Sequence, residues 1–461
     1  MEERRMQPTD GVPVPQRYWA ILTIALGLVL AVMDGAIANV ALPTIARDVN
    51  ASPAASIWVV NAYQLTVTIS LLPLAAVGDI FGYRRVYQAG LVVFTVASLG
   101  CALSDSLLTL TVARIIQGFG AAGIMSVNGA LIRFIYPRSS IGRGVGLNAT
   151  IGSVSSALGP TVASAILSVA HWPWLFAVNV PIGSLAILIA WRALPSTPRA
   201  GHRFDVASAG MTALTIGLTI TAIDGLGHGQ RLDAVIVELA SAIVLGFILV
   251  ARQLSKPSPL LPVDLLRIPL FALSVATSIC AFCAQGISYV SLPFLFQETL
   301  GKSQVATGLL MTPWPLTVAV IAPISGRLSD RYPAGILGGA GLAVMALGLA
   351  SLALLPAHPA NLDVAWRMVL CGVGFGFFNT PNNRAIITTA PRSRSGGASG
   401  MQATSRLLGQ TIGAALVALV FGLFPGNGTI VTLVIAACIA AGAAAVSLTR
   451  LLDRGRPGVV E

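Results

Sequence analysis

The chain is poor in charge. Only 10% of its 461 residues are Asp, Glu, Lys or Arg, where a soluble domain carries about 25%. No polar stretch is long enough for a sizeable soluble domain, since the longest are the two termini and a few short loops. Histidine is scarcer still. The four are His171, His202, His228 and His358, and all fall between the apolar runs. An intramembrane enzyme needs a His-x-x-x-His pair, two nearby acids, or a nucleophile with its base. The scarcity of His argues against that class, and the expectation is a non-enzyme with no metal and no cofactor. A Gly-x-x-x-x-Gly-Lys-Ser/Thr loop is missing too, which excludes ATP drive within this chain. The five cysteines (Cys101, Cys280, Cys283, Cys371 and Cys438) lie in apolar runs. Cys280 and Cys283 make a C-x-x-C without a second pair or a His cluster, so they read as packing residues. The polar, Pro-broken start at 1–17 has no cleavage-site pattern after a short apolar core, so the first helix is expected to be an uncleaved targeting signal.

What the chain has is apolar length, with 55% of its residues hydrophobic. A membrane helix needs roughly 20 mainly apolar residues. Fourteen such runs are separated by charged or Pro/Gly-rich breaks: 18–42, 55–77, 84–103, 107–132, 143–169, 174–194, 205–224, 233–252, 270–297, 304–326, 334–355, 365–388, 397–423 and 429–450. The fold class is an all-α polytopic membrane protein. With both termini inside, most of the 28 Lys and Arg lie on the cytoplasmic side, and only Arg47, Arg231, Lys302 and Arg367 fall outside. That asymmetry supports the even helix number and the orientation. It also accounts for the net charge of +11 without a nucleic-acid partner. The lipid bilayer is the expected partner.

The first run contains Asp34, within LVLAVMDGAIANVALPTIA at 28–46, and no Lys or Arg lies between Arg17 and Arg47. An acid near the middle of a membrane helix costs roughly 2.5–3.5 kcal/mol even on the mildest scale, so by default it marks a proton or cation pathway. The bland reading is an Asp hydrogen-bonded to a neighbour for packing.

The chain repeats itself. VALP at 40–43 answers VSLP at 290–293, and Gly159 falls on Gly409, both at an offset of 250. Asp79 answers Asp330, and AGL at 89–91 answers AGL at 340–342, both at 251. Two homologous six-helix halves follow, 18–194 and 270–450, with 205–252 as two inserted helices and short cytoplasmic ends at 1–17 and 451–461. Parallel repeats of this kind are a transporter architecture, with the substrate near the midplane between the halves.

Three motifs add to this. AAVGDIFGYRRV at 75–86 places Asp79, Gly82, Arg84 and Arg85 between the second and third runs, and GRLSDR at 326–331 places Gly326, Asp330 and Arg331 at the same point of the second half. In ARIIQGFGAAG at 113–123, Arg114 and Gln117 share a helix face, and the glycines allow close helix approach. The alternative for Arg114 is a side chain snorkelling to the surface. The fifth run carries Gly146, Ser155, Gly159 and Pro160, where the proline kinks the helix and small residues admit a neighbour.

These motifs resemble the major facilitator superfamily. The loop at 326–331 matches the family's Gly-x-Leu-x-Asp-Arg pattern in full, whereas the first copy has Ala75 and Ile80 at two of its positions. The fifth-run pattern resembles the antiporter motif of drug exporters, with Ser155, Ala163 and Ser164 in place of glycines. MDGAIANVALPTIA and HWPWLFAVNVPIG at 171–183, with fourteen runs, resemble the fourteen-helix drug:proton antiporters, closest to quaternary-ammonium and methyl-viologen exporters. The resemblance implies a proton-coupled multidrug exporter of lipophilic, mainly cationic compounds. It would work by alternating access in the bacterial inner membrane, as a monomer driven by the proton gradient. It also implies that Asp34 takes up protons and cations with help from Arg114. Export of one metabolite, siderophore or amino acid on the same fold is the alternative. Trp58, Tyr63, Gln117, Phe282, Tyr289, Trp314 and Phe378 are candidates to line a cavity, where rings hold cations or simply pack. Arg406, among Gln402, Thr404 and Ser405, faces either the central cavity or a helix-end carboxylate. Glu298 is expected at the surface near Lys302.

Overall fold

In lipid, backbone N–H and C=O groups have no water to bond and must be satisfied within the segment. The long apolar runs accordingly become helices. The computed structural model describes residues 11–137, 141–197, 205–227, 230–254, 263–329, 331–390, 395–424 and 426–450. The expected tail at 451–461 and Asp330 lie outside the described residues.

The helices in chain order are α1 (Gln16–Asp48), α2 (Pro53–Phe81), α3 (Tyr83–Ala102), α4 (Leu107–Ile135), α5 (Ile141–Leu167), α6 (Trp174–Ala193), α7 (Val206–Gly227) and α8 (Leu232–Leu254). They continue with α9 (Pro269–Thr299), α10 (Gln304–Leu328), α11 (Ala334–Ala353), α12 (Asn361–Thr389), α13 (Ser395–Leu423) and α14 (Gly428–Thr449). Among the described residues twelve are long and apolar enough to cross a membrane, and α5 brings the number to thirteen if its bent halves form one span. The bend, 42° between Thr150–Ser156 and Leu158–Leu167, has a local cause. Pro160 offers no N–H, and its ring meets the carbonyl four residues back, at Ser156. The expected fourteenth span, α12, is long enough at 29 residues but fails on composition. It carries Asp363, Arg367 and Arg384 together with Asn379, Asn382 and Asn383.

The packing is duplicated. Helix α4 lies against α2 and α3, α1 against α5 and α6, and α3 against α6. The same neighbours recur as α12 with α10 and α11, α9 with α13 and α14, and α11 with α14. Even the closest approaches match. A Cβ on Gly120 would stand 2.8 Å from the Gly90 carbonyl oxygen, and one on Gly374 would stand 2.6 Å from that of Gly341. Helix α7 packs on α2 and α13, one from each repeat, and α8 packs on α7. The outer side of α8 presents Ile236, Val237, Ile243, Val244 and Phe247 exposed, a face suited to lipid tails.

Where the repeats meet, the two ends of the molecule differ. At the end carrying the turns at 49–52 and 300–303, a single apolar core joins Ile37–Ile45 of α1 to Phe294–Phe296 of α9 and Met311 of α10. Polar contacts close it further. Gln297 donates to the Val40 carbonyl at 2.9 Å, Gln304 donates to Thr44 at 2.6 Å, and the hydroxyls of Thr161 and Thr312 lie 2.7 Å apart. At the opposite end the core divides. One cluster holds Ile24, Tyr87, Ile132 and Leu194 of the first repeat and reaches the second only through Leu407 and Ala403 of α13, and another holds Phe271, Ile386 and Met401 of the second. Midway along the seam the hydroxyls of Thr68 of α2 and Thr411 of α13 lie 3.4 Å apart, and beyond them, among the described residues, no side-chain hydrogen bond joins the repeats at that end.

Candidate functional site

Helix α4 starts on a capping box in which Ser106 and Thr109 each bond the other's backbone N–H. That start fixes the register that turns Arg114 and Gln117 inward two turns later. Arg114 is fully buried rather than snorkelling. A buried guanidinium needs acceptors, and it finds three. Its Nη1 donates to Asp34 Oδ2 and, at 2.6 Å, to Gln117 Oε1, and its Nε donates to the Val59 carbonyl at 2.9 Å. The ring of Tyr63 lies 4.1 Å from the guanidinium carbon and that of Phe176 lies 5.4 Å away. Arg114 Nη2 is left without an acceptor.

Asp34 is therefore not the lone acid that its own apolar run suggested. Its carboxylate is 1% exposed and fully engaged. Besides Arg114 it accepts from Gln117 Nε2 at 3.0 Å and from Asn179 Nδ2 at 2.7 Å. Gln117 Nε2 also donates to Ser98 Oγ at 2.8 Å. Helices α1, α3, α4 and α6 thus each contribute one polar side chain or more to a single buried cluster. Sequence reasoning missed Asn179 and Ser98. Asn179 had a signal, an amide inside the apolar stretch WLFAVNVPIG, but its partner is 145 residues away. Ser98 is small and had none.

A second feature lies beside this cluster. A cavity of about 90 Å³ sits between the repeats. Ligand pockets run from about 300 to 1,000 Å³, so the site is contracted and must widen to admit an organic molecule. Asn39 of α1 and Tyr63 and Gln64 of α2 line it from the first repeat, and Gln285 and Tyr289 of α9 and Arg406 of α13 from the second. Tyr63 belongs to both features. Its hydroxyl donates to the Ala31 carbonyl at 2.7 Å, its ring meets Arg114, and it also lines the cavity.

Of the expected cavity residues, Tyr63, Tyr289 and Arg406 are on its wall and the others are not. Gln117 is turned into the Asp34 cluster. Phe282 packs edge-on against Phe375 at 5.2 Å, Phe378 lies 6.3 Å from the same ring, and Trp314 packs edge-on against Tyr289 at 5.3 Å. These rings are spent on packing between helices. Trp58 stands in the first turns of α2, away from the wall. Lys302 bonds Asn361 at 2.9 Å rather than Glu298.

Gly159 of α5 faces α1, where an added Cβ would come 2.5 Å from the Ala36 methyl. Ser155 bonds the Ile151 carbonyl at 2.7 Å, Pro160 marks the bend, and Gly146 lies within α5. At the α2–α3 turn, Gly82 has φ of +97°, a conformation that side chains resist. Asp79 accepts from the Tyr83 hydroxyl and Arg84 donates to the Trp191 carbonyl. This loop therefore binds α2, α3 and α6 together. Gly326 and Ser329 stand near α12, where Arg384 reaches Ser329 at 3.0 Å. No hydrogen bond of the Arg85 or Arg331 side chain is formed with the other repeat among the described residues.

Comparison with known proteins agrees with this architecture. The model of the Major Facilitator Superfamily matches residues 24–414. The "Uncharacterized transporter YebQ" of Escherichia coli is 60% identical, over 96% of this chain and 97% of its own. The "Multidrug resistance protein Stp" of Mycobacterium tuberculosis is 31% identical over 86% of this chain and 74% of its own. The "Riboflavin transporter RibZ" of Clostridioides difficile is 28% identical over 87% of each. A duplicated helical bundle around a midplane cavity, matched over this length, is a transporter, and the chain belongs to the major facilitator superfamily.

Proposed function

We propose that the protein is a proton-coupled exporter of lipophilic organic compounds, working by alternating access. The observation that carries this reading is the buried Asp34–Arg114 pair, separated from the central cavity by one shared ring, Tyr63. Protonating Asp34 removes the charge that neutralises Arg114, and Arg114 then presses its uncompensated charge against Tyr63. A substrate on the other side of that ring feels the change, so proton and substrate influence each other without sharing a site. This differs from direct competition of proton and cation at Asp34. Both carboxylate oxygens are taken, and Asp34 is not on the cavity wall, so the geometry supports the proton role and lends the cation role nothing.

In this reading α5 and α12 also cross the bilayer, giving fourteen spans. The polar residues of α12 then sit at its ends or face its neighbours. Residues 18–194 and 270–450 are the two rocking bundles, with 205–252 inserted at one seam. Both termini face the cytoplasm of a bacterial plasma membrane, the proton gradient supplies the energy, and one chain suffices. Multidrug export is supported by the likeness to the Mycobacterium protein, and export of a defined metabolite by the likeness to the riboflavin transporter. The cavity's fixed polar groups favour a narrower range than an all-apolar wall would.

The test uses everted membrane vesicles energised by respiration, with a fluorescent reporter of the pH gradient. Ethidium, riboflavin and fluorescein are added in turn. At least one should collapse part of the gradient in wild type and none in Asp34→Asn. No response in wild type to any of them, or equal responses in both, would remove the support for proton-coupled export.

A further inference from the structure

The cavity has one charged group on its wall, and that group is positive. Arg406 is partly buried on α13 and faces the space between the repeats. Among the described residues it forms no ion pair and no hydrogen bond. Every other lining residue is neutral. The nearby acid cannot serve it, because Asp34 is consumed by Arg114, Gln117 and Asn179. A guanidinium inside a membrane protein is costly and as a rule pairs with something. Here the missing partner is left for the ligand.

The wall specifies more. Asn39 is 5% exposed and spends its amide N–H on the Gly35 carbonyl at 3.2 Å, which fixes its orientation and leaves Oδ1 without a donor. A buried acceptor without a donor costs free energy until one is supplied. Tyr63 and Tyr289 stand on opposite repeats, so the space has an aromatic residue on each side. We propose that the substrate is a flat, conjugated organic acid. Its anionic group pairs with Arg406, and a hydroxyl or N–H on it donates to Asn39. The expected cationic preference is thereby replaced by an anionic one. This rests on the exporter reading for where the substrate sits, but not on proton coupling.

Two dyes with the same three-ring frame separate the possibilities. Fluorescein carries a carboxylate and phenolic oxygens, whereas rhodamine 123 is a cation with its carboxylate esterified. Binding of each is measured by fluorescence anisotropy to the full chain in nanodiscs, at constant ionic strength and without a gradient. Wild type should hold fluorescein at least about tenfold more tightly than rhodamine 123. Arg406→Gln should lose about tenfold or more of the fluorescein affinity, as expected for a lost charged hydrogen bond, and Arg406→Lys should recover part of it. If Arg406→Gln fails to fold, Gln285→Glu, which places an acid on the same wall, should weaken fluorescein as strongly. Tighter binding of rhodamine 123, no binding of fluorescein, or fluorescein binding indifferent to these substitutions would overturn the proposal. Fluorescein binding that depends on Arg406 in a protein that moves no protons would keep it and discard the coupling alone.

Discussion

Asp34→Asn removes one charge and almost no volume, which makes it a clean probe of the buried cluster. The amide can still accept from Asn179 or Gln117. What it cannot do is neutralise Arg114, which has no exposed surface and already lacks an acceptor for Nη2. Breaking a buried pair from one side costs about 3–5 kcal/mol, chiefly because the surviving charge is stranded. Arg114→Gln alone strands Asp34 instead, although Gln117 and Asn179 still donate to it, so its cost should fall at the lower end of that range. The double variant strands nothing. The double variant should therefore cost less than either single, which puts the coupling at about 3 kcal/mol or more, the top of the usual span. The assay is equilibrium unfolding in mixed micelles of wild type, both singles and the double. Additivity within ~0.5 kcal/mol would refute the view that these two charges hold each other. Transport separates stability from mechanism, because the double variant should regain stability without regaining proton-coupled export.

Gly159→Leu should uncouple or abolish transport, since even a Cβ there meets the Ala36 methyl at 2.5 Å; normal efflux with a normal proton requirement would count against a tight α1–α5 contact. Asn179→Ala should weaken the cluster by about 1.5–3 kcal/mol, as for a hydrogen bond to a charged group, and Asn179→Asp by more, because it sets a second acid beside Asp34; unchanged unfolding of both would show the bond to be incidental. A cysteine pair replacing Thr161 and Thr312, whose hydroxyls are 2.7 Å apart, should cross-link in a background cleared of the five native cysteines and should block transport until reduced. Free transport by the cross-linked protein would mean that this end of the seam does not open.

The helices and their duplication were legible because each run of apolar residues is local, and because an offset of 250 can be counted on the page. The bend in α5 was legible for the same reason, since Pro160 acts on its own carbonyl four residues back. The burial of Arg114 followed from its place in an apolar helix. Its partner did not, because 80 residues separate it from Asp34 and nothing in either helix names the other. Aromatic residues misled most. Phe282, Trp314 and Phe378 have the composition of a cavity wall, but a ring at a given helical angle faces a neighbouring helix or the cavity according to crossing geometry that sequence does not carry. The polarity of α12 was visible as Asp363, Arg367 and Arg384, and with the bend in α5 it holds the number of clearly apolar spans among the described residues at twelve.

The placement of α7 bears on how a compound reaches the cavity. Two repeats packed side by side leave two lengthwise seams, one between α2 and α13 and the other between α5 and α10. Helix α7 lies along the first, touching both of its banks, and among the described residues no further helix runs along the second. Parting the repeats therefore uncovers a window to the acyl chains on one flank only. A compound dissolved in the membrane meets a closed wall from one direction and the α5–α10 gap, beside the bend at Pro160, from the other. Within the proposed rocking cycle, a symmetric repeat would thus open toward the lipid on one side alone.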